Sequence, residues 1–150
     1  MFLPVIAAVV SAILNTFQAG ANARLYKSLE NPFYTALVVM ASATSGILAL
    51  MALSYFVNGE SRSLRPNFSM IPWWAWCGGL FGLLYVFAML LFAEKLGSAV
   101  FSAITLSAGM ITAVLLDHYG LFGFKEHPLN AWRVLGCLLL SAGAGLIAKF

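Results

Sequence analysis

Charge is scarce in this sequence. Only 9% of its 150 residues are Asp, Glu, Lys or Arg, while 62% are hydrophobic and the mean hydropathy is +0.93. That balance excludes an ordinary water-soluble domain and leaves the bilayer as solvent. The five acidic residues all lie near the edges of apolar runs, so no span carries a carboxylate at its middle. The two cysteines, Cys77 and Cys137, fall inside apolar runs without metal-ligand spacing and read as buried reduced thiols. No nucleotide loop, metal cluster, catalytic triad or haem motif is present, so no cofactor and no metal are expected. Eight basic residues give a net charge of +3 and a pI near 9.1, but they are dispersed at span ends. Insertion and anionic headgroups account for them, and nucleic acid is not an expected partner.

What fills the chain is long apolar runs. Crossing a hydrocarbon core takes about 20 apolar residues, and five stretches qualify: 3–23, 33–57, 72–93, 98–118 and 131–148. Continuous runs mark helices, because a barrel shows short alternating segments. The expected fold is therefore all-α, one five-helix membrane bundle over 1–150 with no soluble domain. Charges punctuate the runs: Arg24, Lys27 and Glu30, then Glu60, Arg62 and Arg65, then Glu94 and Lys95, then Asp117, Lys125 and Glu126. Arg133 can snorkel from the first turn of helix five. Only Asn58 to Ile71 forms a loop of any length. Ala21-Asn22-Ala23 imitates a signal cleavage site, yet no basic region precedes the run, which is kept as helix one.

An odd number of spans puts the termini on opposite sides, and the basic residues then divide evenly. Arg62, Arg65, Lys125 and Arg133 fall on one side, and Arg24, Lys27, Lys95 and Lys149 on the other. Under the positive-inside rule equal numbers leave no preferred orientation. Either the chain inserts both ways, or small numbers produced the tie and one helix dominates. Two copies in opposite orientations make an inverted-repeat pair of ten spans.

Polar and small residues form stripes on these helices. Asn15, Gln18 and Asn22 share one face of helix one at i, i+3 and i+7, serving as interhelical glue or as a solute surface. Helix three opens with an aromatic anchor at Trp73, Trp74 and Trp76. Trp74, Gly78, Gly82, Tyr85 and Met89 follow one face, where Gly78 and Gly82 let a neighbouring backbone approach and Tyr85 is the solute candidate. Helix four aligns Ser102, Thr105, Gly109 and Thr112, and helix five pairs Ser141 with Gly145 for packing or dimerisation. Asp117-His118 closes helix four. A carboxylate beside an imidazole can relay protons or simply end the helix in solvent.

The runs Thr16 to Leu25, Pro72 to Gly79 and Leu116 to Gly123 together resemble the YdcZ-like group of half-size, five-span proteins in the drug/metabolite transporter superfamily, along the whole length. The resemblance implies an inner-membrane carrier. It also implies full-length relatives built of two five-helix repeats in opposite topology, with helices one, three and four lining the cavity. The chain departs from the small multidrug exporters of that superfamily, which have four spans and a titratable glutamate in helix one. Asn15 and Gln18 stand in that region here and cannot titrate.

The expected function is thus secondary transport of a small polar or zwitterionic metabolite or drug by an antiparallel homodimer, or a heterodimer with a paralogue, in contact with membrane lipid. Asn15, Gln18, Asn22, Trp74, Tyr85, Ser102 and Thr105 are the solute-contact candidates. The alternative is a non-transporting subunit that scaffolds a partner protein. An intramembrane enzyme using Asp117 and His118 is the weakest option, because a reaction site needs more convergent polar groups.

Overall fold

The computed structural model describes residues 2–58 and 71–150. The expected loop charges Glu60, Arg62 and Arg65 lie outside the described residues. Five helices among those described are long and apolar enough to cross a membrane. They are α1 (Phe2–Leu29), α2 (Pro32–Asn58), α3 (Gly78–Leu96), α4 (Ser98–Tyr119) and α5 (Ala131–Lys149), with short 3₁₀ turns at Trp73–Cys77 and Leu121–Gly123.

Two helix ends differ from the sequence expectation. Arg24 and Lys27 lie on α1, which continues to Leu29 instead of stopping near Ala23. Arg, Leu and Lys are good helix formers, so the helix runs on until something forces a stop. The stop is a two-residue turn. Glu30 takes a left-handed backbone (φ 52°) and its N–H bonds the Tyr26 carbonyl at 2.8 Å. Asn31 then caps α2, its Oδ1 accepting from the N–H groups of Phe33 (2.9 Å) and Tyr34 (3.2 Å), with Pro32 at the first helical position. The second difference is at the tryptophans, expected as the first turn of helix three. Trp73–Cys77 is a 3₁₀ turn, with Ala75 N–H donating to Pro72 O at 3.0 Å. The regular helix begins directly after it, at Gly78 and Gly79, two poor helix formers.

The chain divides into two compact units whose boundaries cut through α1 and α3. The unit spanning 20–91 has its core where α2 meets α3. Ala36, Val39, Val86 and Leu90 are buried there, with Leu25, Tyr26, Leu83 and Phe87 packed around them. Phe33 meets Phe87 edge to face at 5.3 Å between ring centroids, an arrangement worth about 1 kcal/mol beyond area burial. Thr35, wholly buried, is satisfied by donating its hydroxyl to the Asn31 carbonyl at 2.8 Å.

The other unit comprises 1–19 and 92–150, and in it α4 packs along α5. Gly97 alone joins α3 to α4, at a φ of 88° that L side chains rarely adopt. The buried Ser107 hydroxyl donates to Ala103 O at 2.8 Å and lies 3.5 Å from Leu140 O across the helix pair. Most large apolar side chains of α1 and α2 remain exposed, as befits helices whose surroundings are hydrocarbon. Cys77 and Cys137 are free thiols but only half-buried, because both sit on helix faces left partly open.

Candidate functional site

In hydrocarbon an amide or hydroxyl must find a partner, so the fate of each polar side chain separates structure from function. Most serine and threonine hydroxyls among the described residues are satisfied by their own helix. Thr105 donates to Phe101 O (2.9 Å), Thr112 to Ala108 O (2.8 Å) and Ser141 to Cys137 O (2.8 Å). Ser11, Thr16, Ser45 and Thr44 bond back one turn in the same way. These hydroxyls ask nothing of a solute.

Asn22 differs. It is 7% exposed, and its Nδ2 is the one buried side-chain nitrogen or oxygen without a hydrogen-bond partner among the described residues. Leu25 and Tyr26, three and four residues on, pack onto the α2–α3 core, so Asn22 stands one turn earlier on the same inward face. A shielded amide donor left unpaired costs roughly 1–3 kcal/mol. Asn15 and Gln18, on the preceding turns, are exposed. Of the three amides on the stripe, Asn22 is thus the buried one. Charge in Arg24 and Lys27 conceals this from the sequence, because it suggests that the helix has already left the membrane.

Trp74 and Tyr85 belong to the same unit as Asn22, with Tyr85 beside the buried Val86 on α3 and 40% exposed. Ser102 and Thr105 belong to the unit containing α4 and α5, as do Asn15 and Gln18. Ser102 is exposed and Thr105 half-buried. At Gly78, Gly82, Gly109 and Gly145 an added Cβ would meet nothing within 4 Å.

Asp117 and His118 are tied into the α4–α5 connection. Arg133 donates from Nη2 to Asp117 Oδ2 at 3.2 Å and from Nη1 to His127 O at 3.0 Å. The Asp117 carbonyl accepts from His127 N–H at 2.8 Å, and His118 Nδ1 accepts from Leu129 N–H at 3.2 Å. Accepting there places the neutral ring's proton on Nε2. Asn130 caps α5 by accepting from Arg133 N–H at 2.9 Å. Gly120, left-handed at φ 59°, closes α4 beneath Glu126, whose Cγ would lie 2.6 Å from a Cβ at that position. Every bond made by Asp117 and His118 here holds the loop in place. Sequence reasoning left Arg133 as a snorkelling cation and overlooked that opposite charges flanked this glycine-containing turn.

Among the described residues no group of three or more metal-ligating side chains converges. Beside the Asp117–Arg133 pair lies an open groove of about 420 Å³ between α4 and α5, and a second of about 250 Å³ lies along Ile111, Leu115, Val134 and Leu138.

A family described as "Putative inner membrane exporter, YdcZ" matches residues 3–146. The Inner membrane protein YdcZ of Escherichia coli K12 is 26% identical over 117 residues, covering 75% of this chain and 74% of that protein. No solved structure matches.

Proposed function

Since this chain belongs to the YdcZ family of inner-membrane proteins, and is accordingly a multi-pass protein of the inner membrane, we propose that it transports a small polar or zwitterionic solute as an antiparallel pair of copies. The observation that carries this reading is Asn22. An amide donor held in an apolar unit at the cost of an unmade bond is a poor choice for stability alone, and a solute offering a carbonyl or carboxylate oxygen supplies the missing acceptor. The absence of a carboxylate within the apolar body of any span favours a neutral or internally neutralised solute over a bare cation. Two further features support pairing. Basic residues divide four to four between the two sides, and the faces at Gly78, Gly82, Gly109 and Gly145 are open to a neighbouring helix.

The test is uptake and efflux of a labelled panel of amino acids, amines, sugars and organic acids in vesicles containing only the purified protein. Saturable flux of at least one solute is expected. Absence of both flux and binding across the panel, together with stoichiometric capture of a different membrane protein, would replace the carrier with a scaffolding subunit.

A further inference from the structure

The larger α4–α5 groove has charge at one end and hydrocarbon elsewhere. Asp117, in the last turn of α4, and Arg133, in the first turn of α5, form its polar end. Met110, Ala113, Gly136 and Leu140 are among its walls. Met110 and Leu140 each lie seven residues from the charged residue on the same helix, so the apolar walls extend about 10 Å from the ion pair. Helix ends with charge are where a spanning helix meets the headgroup layer. The groove therefore runs inward from headgroup level along the acyl region.

We propose that this groove is a binding site for a phospholipid with a zwitterionic, primary-amine headgroup, phosphatidylethanolamine. Arg133 takes the phosphate, Asp117 the ammonium, and the apolar walls one acyl chain. The charges select this occupant. Arg133 has five N–H groups, and Asp117 Oδ2 and His127 O engage one nitrogen each, leaving donors for phosphate oxygens. Asp117 retains Oδ1 as an acceptor, and the pair is still about a third exposed (31% and 30%), within reach of a headgroup. A cation and an anion 3.2 Å apart match a headgroup that carries phosphate and ammonium two carbons apart. A purely anionic lipid satisfies Arg133 but sets its charge against Asp117. A choline headgroup has no N–H to give the carboxylate. Gly136 leaves room for the chain, since a Cβ there meets nothing within 4 Å. The site does not depend on the transport reading.

Native mass spectrometry of delipidated protein, with phosphatidylethanolamine, phosphatidylcholine or phosphatidylglycerol added back, tests the proposal. One phosphatidylethanolamine per chain should be retained about tenfold more strongly than either other lipid, the discrimination expected of one charge-assisted bond. Gly136→Leu fills the groove without touching the ion pair and should abolish that retention, with helix content by circular dichroism unchanged. Arg133→Gln should do the same, and Asp117→Asn should remove the preference over phosphatidylcholine. Should Arg133→Gln fail to fold, Gly136→Leu decides alone. Equal retention of the three lipids, retention surviving Gly136→Leu, or a change in oligomeric state in place of lipid loss would overturn the assignment.

Discussion

At single residues the structure separates strain from need. Glu30 adopts a left-handed backbone at the end of α1, where glycine or asparagine is the usual occupant. Left-handed geometry costs a side chain roughly 1–2 kcal/mol, and glycine gives back about half of that through its freer unfolded chain. Glu30→Gly should accordingly raise stability by about 0.5 kcal/mol in denaturant titrations of the purified protein. A loss would show that the Glu30 side chain contributes more than its backbone costs. Gly120 is the opposite case, left-handed and covered by Glu126. Gly120→Ala should destabilise by about 1–2 kcal/mol in the same titration, and unchanged stability would mean that the loop shifts freely. Asn22→Leu removes an unpaired buried donor and restores apolar volume, so the variant should be no less stable than the native chain. Of these three, only Asn22 was visible as a candidate in the sequence. Positive φ is not encoded by a glutamate, and burial of an amide depends on neighbours distant in the chain.

Among the helices, span number and most boundaries were legible because hydrophobic length is a one-dimensional signal. α4 and α5 begin and end within a residue or so of their apolar runs. The extension of α1 through Arg24 and Lys27 was not, since hydropathy marks where apolar residues stop and helix propensity, together with the cap at Asn31, sets where the helix stops. The α4–α5 connection shows a similar divide. Asp117-His118 drew notice as a charged end, but its partners lie 11 and 16 residues onward, at Leu129 and Arg133, and only folding brings them together. Because the ion pair is partly exposed, its coupling should be modest, about 0.5–1 kcal/mol. A double-mutant cycle with Asp117→Asn and Arg133→Gln measures it. Coupling near zero would leave the backbone bonds from His127 and Leu129 as the principal ties of this loop.

For the molecule as a whole, the membrane class followed from composition and the inner-membrane compartment from the family resemblance, and the family match agrees with both. The candidate solute site was only partly legible: the α1 amide stripe marks where polarity is spent, but periodicity alone does not separate a bonded amide from an unpaired one. Orientation belongs to this scale as well. With basic residues balanced four to four, a tag at either terminus should be found on both sides of the membrane in comparable amounts, and a single orientation would end the antiparallel pairing proposed above. The most direct test of the transport claim compares solute flux in vesicles holding equal amounts of folded native protein and Asn22→Leu, for whichever solute the native protein moves. The account predicts that Asn22→Leu keeps its stability while flux falls by about tenfold or more, the loss of one buried hydrogen bond to the solute. Native flux from Asn22→Leu would contradict it.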